Sequence, residues 1–193
     1  MSDKRPTSVR QTTERFKPSP AHGVRPIVTD RPLVSREYAL YIAYNKFFYA
    51  FKEQFPTIKC VIAGSIRREK PFVHDIDIIV VSKEESIRNW CKNKLTDCKG
   101  FFYLSGKLEN IDTQIWFCDE SNFGPMLLMR TGPMEFNRKL AMISKRMGGT
   151  FSELGLFKGS PSNRKERIDE NTESNIIWLI LHRTWIHPRY RDA

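Results

Sequence analysis

Two different hydrophobic periods along residues 37–122 predict helices and strands. Over residues 37–54 the apolar and aromatic positions recur every three to four residues. This spacing is typical of an amphipathic helix with its aromatic side chains in the core, and Pro56 ends it. A second helix is predicted over 86–95. Short apolar runs predict buried strands, and they cover residues 58–63, 75–81, 101–104 and 111–117.

After the pair Gly124-Pro125 the pattern of apolar residues changes to the spacing that is typical of helices. The pattern predicts a hairpin over 151–157, and it predicts helices over residues 125–130, 134–147 and 174–182. A mixed sheet followed by helices predicts an α+β fold. We expect a lobe with a mixed sheet and flanking helices over 37–122, and a small helical lobe over 123–193.

The first 36 residues lack such a period and contain five prolines, so we predict a flexible tail. They carry eight Lys or Arg and three Asp or Glu. The resulting net charge of +5 is half of the formal net charge of +10 of the whole chain. Two interpretations stay open. The tail is either a basic arm that binds phosphates or a solubilising or targeting extension.

The charge of the whole chain favours a polyanionic partner. Among 193 residues, 32 Lys and Arg stand against 22 Asp and Glu, so nucleic acid is favoured over a membrane surface. There is no apolar stretch of 18 residues, and the N-terminus lacks the apolar segment of a secretory signal. We therefore expect an intracellular protein without a membrane span.

Two acidic residues interrupt the most apolar predicted strand. Strand side chains alternate between faces, so Asp75 and Asp77 share one face. Two such charges on a half-buried sheet repel each other, and a divalent cation relieves the repulsion. Asp112 is isolated in the same way in the strand at 111–117, and three carboxylates could hold two Mg²⁺ ions roughly 3.5–4 Å apart. The alternative for a single strand aspartate is an edge or bulge position.

A second motif lies ten residues upstream of Asp75. Gly64 and Ser65 follow a predicted strand, and a Gly-Ser turn offers backbone N–H groups and a hydroxyl to a phosphate. The arginines that follow it could neutralise a triphosphate. The combination reads G-S-x-R-R, six residues, D-x-D, and then a further strand aspartate.

With these motifs the chain resembles the nucleotidyltransferase superfamily, and within it the family X DNA polymerases, the group of DNA polymerase beta and a very small viral member. Residues 131–137 look like the family's T-G-x-x-x-F-N motif. Residues 151–157 are similar to the hairpin that follows, and residues 185–192 to the closing segment. The resemblance covers about four fifths of the chain, from residue 37 onward.

The resemblance implies a nucleotidyltransferase palm over 37–122 and a lobe over 123–193 that contacts nucleotide and DNA. The implied function is a template-directed DNA polymerase that adds dNTPs to a primer 3′-hydroxyl in short gaps during DNA repair. Two Mg²⁺ ions would serve as cofactors, and Mn²⁺ could substitute. The expected partners are primer-template or gapped DNA and deoxynucleoside triphosphates, with a monomeric protein and no membrane.

Carried over by position, the resemblance gives roles to residues of four kinds. The metal ligands would be Asp75, Asp77 and Asp112, and Asp112 would also be the general base. The nucleotide would be held by Gly64, Ser65, Arg68, Thr131, Gly132 and Asn137. The template would face Arg138, Lys139, Lys145 and Arg146. A solvated helix face is the alternative for these four cations.

Three departures from the family qualify this assignment. The family's lyase domain needs far more chain than residues 37–59 offer, so we expect no lyase activity. Met129-Arg130 stands where the family has an aromatic pair that excludes ribose, and Asn110 replaces an arginine. Two alternative functions stay open, namely template-independent or ribonucleotide-adding transfer, and a non-catalytic nucleic-acid-binding module.

Overall fold

The computed structural model describes residues 32–183 and 185–192. The predicted tail therefore lies outside the described residues except for its last five. Within these, Val34–Ser35 form strand β1, which pairs with β3 (Phe72–Val73), and helix α1 begins at Arg36. None of the described helices is long and apolar enough to cross a membrane.

A five-stranded sheet forms the centre of the fold, with the strand order β2-β4-β7-β6-β5. Strands β4 and β7 are parallel, and their other neighbours are antiparallel, which confirms the predicted mixed sheet. The strands span Cys60–Ile62 (β2), Asp75–Val81 (β4), Thr96–Lys99 (β5), Tyr103–Leu108 (β6) and Ile111–Cys118 (β7).

Helices cover one face of this sheet. The first helical segment runs without a break as α1 (Arg36–Ala43), a π-helical turn (Tyr44–Phe48) and α2 (Tyr49–Gln54), and α4 spans Glu85–Asn93. Phe47 and Phe51 are fully buried and pack with the Ile76 face of β4. The predicted burial of the whole aromatic stripe is wrong. The polar hydroxyls keep one edge of the helix at the surface, where the exposed tyrosines are Tyr38, Tyr41 and Tyr44.

The opposite face of the sheet is covered only in part. Helix α5 (Phe123–Thr131) packs on Ile79 and Val81, towards the C-terminal end of β4. At the start of β4 lies the short helix α3 (Gly64–Arg67), which follows β2. Because α5 covers the apolar end of the strand, Asp75 and Asp77 are left only partly buried.

The C-terminal part has its own apolar core. Helices α6 (Met134–Arg146) and α7 (Glu173–Leu181) accompany a three-stranded antiparallel sheet, and short 3₁₀ turns occur at Glu120–Asn122 and Pro188–Tyr190. The sheet strands are β8 (Gly149–Ser152), β9 (Gly155–Ser160) and β10 (Asn163–Arg167). The hairpin is confirmed, whereas the third strand was not predicted. The core consists of Leu128, Phe136, Leu140, Phe151, Leu156, Ile176, Ile177 and Ile180.

The strand expected over 101–104 is displaced. Strand β6 begins at Tyr103, and Gly100 adopts a φ of +107° in the turn before it. A Cβ at Gly100 would lie 2.2 Å from the Tyr103 carbonyl oxygen, so this turn requires glycine. The turn directs Phe101 and Phe102 into solvent, where they are 82% and 86% exposed.

Candidate active site

The parallel pairing of β4 and β7 brings the three predicted acids to one face of the sheet. Asp75 is the register partner of Asp112. Register partners on neighbouring strands point to the same side, with backbones about 4.8 Å apart. Asp77 lies two residues along β4 and shares this face. The carboxylates therefore occupy the N-terminal ends of two adjacent strands.

Gly64 packs directly against one of these acids. A Cβ built on Gly64 would lie 2.0 Å from Asp77 Oδ2, and Gly64 adopts a φ of +62°. Any side chain at this position would therefore collide with the carboxylate and strain the backbone. The Gly-Ser turn and the D-x-D strand, which were separate motifs in the sequence, form one continuous surface.

The Asp77 carboxyl lies in an environment that disfavours its charge. Burial, reinforced by the charge of Asp75, raises the pKa of Asp77 to about 7. The nearby Trp116, Arg130 and Arg68 side chains act in the opposite direction. In the protein without bound cations, part of the Asp77 population is consequently protonated at neutral pH.

The donor chemistry of this face fits a hard divalent cation. Aspartate oxygens are typical ligands of Mg²⁺, and positive charge would offset the unfavourable ionisation of Asp77. Across residues 32–183 and 185–192, no three His, Cys, Asp or Glu side chains form a metal-binding group by themselves. Mg²⁺ is commonly held by one or two carboxylates, with substrate phosphates and waters as the other ligands.

A cleft of about 750 Å³ opens over Asp75 and Asp77. Helices α3, α5 and α6 and the start of β4 contribute its walls. It brings together nine residues that the sequence predicted for the site, namely Gly64, Ser65, Arg68, Asp75, Asp77, Thr131, Gly132, Asn137 and Arg138. Asp112 lies beside the cleft as the register partner of Asp75.

Arg68 and Ser65 carry unused hydrogen-bonding capacity at this cleft. Arg68 donates from Nη1 to the Thr131 carbonyl, and its Nε lies 3.5 Å from Asp192 Oδ1. Arg68 Nε and Ser65 Oγ are buried and have no hydrogen-bond partner among the described residues. Buried polar atoms are usually satisfied, so these two point to a ligand with acceptor oxygens.

The neighbouring Arg67 is committed elsewhere. It forms a bidentate ion pair with Glu173 of α7 at 2.8 and 2.5 Å, and it donates to Thr131 Oγ1 at 2.8 Å. Glu173 also accepts from Arg191 at 3.2 Å, and the Arg191 side chain is fully buried. Neither Glu173 nor Arg191 was predicted as a site residue, because the ion pair between Glu173 and Arg67 joins residues that are distant in sequence.

The predicted residues of α6 divide between the cleft and the outer surface. Asn137 donates from Nδ2 to the Met129 carbonyl at 2.7 Å, while its Oδ1 is buried without a partner among the described residues. Arg138 is exposed at the cleft. The other three cations, also exposed, lie outside the cleft lining; they are Lys139, Lys145 and Arg146.

Arg130 occupies a defined position next to the acids. Its guanidinium carbon lies 3.4 Å from the Trp116 ring centroid, and Trp116 stacks on Tyr103 at 4.1 Å. Strand alternation places Trp116 on the same face as Asp112, so this part of the site was predictable from the sequence. Both Met129 and Arg130 line the cleft, immediately before Thr131.

A comparison with known protein families finds a match for the C-terminal part of the chain. Residues 126–192 match the family model described as DNA polymerase beta thumb. No curated protein matches the chain. The matched segment holds the C-terminal core, Asn137 and the contact between Arg191 and Glu173. Residues 126–192 are therefore similar to the thumb of DNA polymerase beta, and this match supports a family X DNA polymerase-like protein.

Proposed function

We propose that this protein is a template-directed DNA polymerase that adds dNTPs to a primer 3′-hydroxyl in short gaps. The observation that carries the proposal is the cleft that joins Asp75 and Asp77 with Arg68, Ser65 and the thumb residues. Phosphoryl transfer needs positioning and charge stabilisation. Acids that lie opposite a guanidinium with one buried donor without a hydrogen bond supply both.

Each side chain has a distinct task in this proposal. Arg68 and Ser65 bind the triphosphate through the donors that lack partners in the cleft. Asp75, Asp77 and Asp112 would hold Mg²⁺, which would stabilise the charge of the transferred phosphoryl group. Asp112 accepts the proton of the primer hydroxyl. Asn137 Oδ1 faces the nucleotide as a hydrogen-bond acceptor.

DNA binding follows from the thumb domain and the charge of the chain. The formal net charge is +10, and α6 presents four exposed cations. Cations that neutralise phosphates release counterions, which makes affinity salt-dependent. We assign Arg138 to the strand nearest the cleft, and Lys139, Lys145 and Arg146 to phosphates farther along the helix. The basic tail, outside the described residues, could add further contacts.

Primer extension on gapped DNA tests this proposal. The variants Asp75→Asn, Asp77→Asn and Asp112→Asn should each lower kcat by about a thousandfold or more, because each removes a charge that stabilises the transition state. Asp97→Asn is the matched control, since Asp97 is exposed on β5. Thermal unfolding should show that all four variants fold. Near-normal extension by any of the three site variants would remove that residue from the site.

Ribonucleotide addition is a second candidate, favoured by one observation. A flexible Met129 and a cationic Arg130 line the cleft where the family has rigid rings. The retained Thr131-Gly132 backbone can still exclude a 2′-hydroxyl, so we expect a reduced preference for dNTPs. The kcat/KM values for a dNTP and the matching rNTP on one gapped template decide between the two candidate functions. A dNTP-to-rNTP ratio of kcat/KM below one would favour the ribonucleotide transferase.

A further inference from the structure

Two phenylalanines project from the turn between β5 and β6. Phe101 is 82% exposed and Phe102 is 86% exposed. A single exposed apolar residue is common in soluble proteins, but two adjacent large rings with almost complete exposure are not. Their centroids lie 5.4 Å apart with the rings nearly perpendicular, so the pair forms one compact apolar tip.

The tip is held in place by a hydrogen bond to its backbone and by the conformation of its turn. Arg88 of α4 donates to the Phe101 carbonyl, and the same guanidinium lies 4.9 Å from the Phe117 ring centroid. Gly100 supplies the positive φ that the turn requires. The Phe101-Phe102 tip is therefore anchored to α4 and β7, and its binding to a partner needs little ordering of the loop.

The surroundings of the tip are basic. Lys99 is exposed next to Gly100, and Arg88 contacts the tip directly. Burial raises the pKa of the Cys98 thiol, and the nearby positive charges of Lys92 and Arg88 oppose this rise. Asp97 is the acidic residue in this stretch of chain. An apolar tip with a surplus of positive charge is complementary to a partner that combines apolar surface with phosphate.

The tip also shares its strand with the candidate site. Strand β6 begins immediately after Phe102, and Tyr103 at its start stacks on Trp116, beside Arg130. Farther along, Lys107 is the register partner of Asp112. The tip is thus connected to the acidic face by one continuous strand of six residues.

We propose that the Phe101-Phe102 tip is a wedge that contacts a base step of the primer-template duplex, while the neighbouring cations bind its phosphates. This inference rests on the proposed function, because it requires duplex DNA to be the substrate. A projecting tip, unlike a flat aromatic platform, suits insertion between stacked bases more than the cradling of a single strand.

Equilibrium binding to a fluorescein-labelled duplex tests the wedge. The variant Phe101→Ser/Phe102→Ser should weaken duplex binding about tenfold or more, the effect typical of a lost ring contact with bases. Its slope of log K against log salt should equal that of the wild type, since no phosphate contact is lost. Phe72→Ser is the matched control, because Phe72 is 60% exposed on β3.

A second measurement separates a wedge from other roles. Energy transfer between dyes at the two duplex ends should show a bend with the wild type, and the double variant should abolish it. Unchanged duplex affinity, a loss confined to single-stranded DNA, or a loss confined to phosphatidylserine vesicles would each overturn the wedge. If the wild type itself binds no DNA, the proposed function fails as well.

Discussion

Arg67 and Arg68 are consecutive residues of one short helical segment, yet their guanidinium groups lie in different environments. Arg67 points to the start of α7 and the end of α5, where Glu173 and Thr131 satisfy its donors. Arg68 points to the cleft, where its Nε is buried without a hydrogen-bond partner among the described residues. Two consecutive residues therefore differ: the fold satisfies the donors of Arg67, whereas Arg68 keeps one buried donor without a hydrogen bond.

This difference gives the two arginines different energetic roles. A buried charge that is fully paired becomes part of the structure, and removing its partner is costly. A buried donor without a partner costs stability in the free protein, and a ligand can recover that cost on binding. Arg67 should consequently affect the stability of the protein, whereas Arg68 should affect the affinity for substrate.

The largest effect is expected on the Arg67 side. Glu173→Gln removes the carboxylate shared by Arg67 and Arg191, and it leaves two guanidinium charges inside the protein. We expect the free energy of unfolding to fall by about 3–5 kcal/mol. Urea unfolding measures it. Glu166→Gln is the control, because its ion pair with Lys158 is exposed. A similar loss of unfolding free energy in both variants would contradict the structural role of the Arg67 ion pair.

Much of the acidic face was predictable because it depends on local patterns. Strand β4 spans the predicted residues Asp75–Val81, since acids that alternate with isoleucine ahead of a β-branched run favour a strand. The alternation rule placed Asp75 and Asp77 on one face. The register between Asp75 and Asp112 was not predictable, because it depends on the pairing of strands that are distant in sequence.

Edge strands and ion pairs were missed for related reasons. Strand β10 (Asn163–Arg167) is polar throughout and strand β5 (Thr96–Lys99) has little apolar alternation, because edge strands need little burial. Conversely, Phe101 and Phe102 predicted a strand by composition but lie exposed in a turn. The partnership of Glu173 with Arg67 joins residues 106 positions apart, which no local period reveals.

A smaller effect is expected on the Arg68 side. Arg68→Gln should raise the KM for dNTP about 10- to 100-fold, the range expected for the loss of a charged contact to phosphate. Unfolding free energy should change far less than in Glu173→Gln. Asp192→Asn should lower KM, because the carboxylate near Arg68 competes with the triphosphate. Steady-state kinetics on gapped DNA measures both, and an unchanged KM in Arg68→Gln would assign Arg68 to the fold instead.

The smallest effect concerns the pH dependence of stability at Asp77. The pKa of Asp77 is about 7 in the folded protein, above its ordinary value of 3.8, so the folded state binds a proton more tightly than the unfolded state. Stability should therefore fall as the pH rises from about 4 to about 7, and the full loss should persist above pH 7. Asp77→Asn cannot ionise and should escape this loss.

We expect Asp77→Asn to exceed the wild type in unfolding free energy by about 1 kcal/mol at pH 8 without divalent cations, and to equal it near pH 4. The estimate lies below the roughly 4 kcal/mol of a three-unit shift, because the partly exposed carboxylate is screened by solvent. Added Mg²⁺ should reduce the difference in unfolding free energy between the two proteins, because the cation stabilises the wild type. Equal stability at pH 8 would mean that the acidic face carries no unfavourable charge for a cation to relieve.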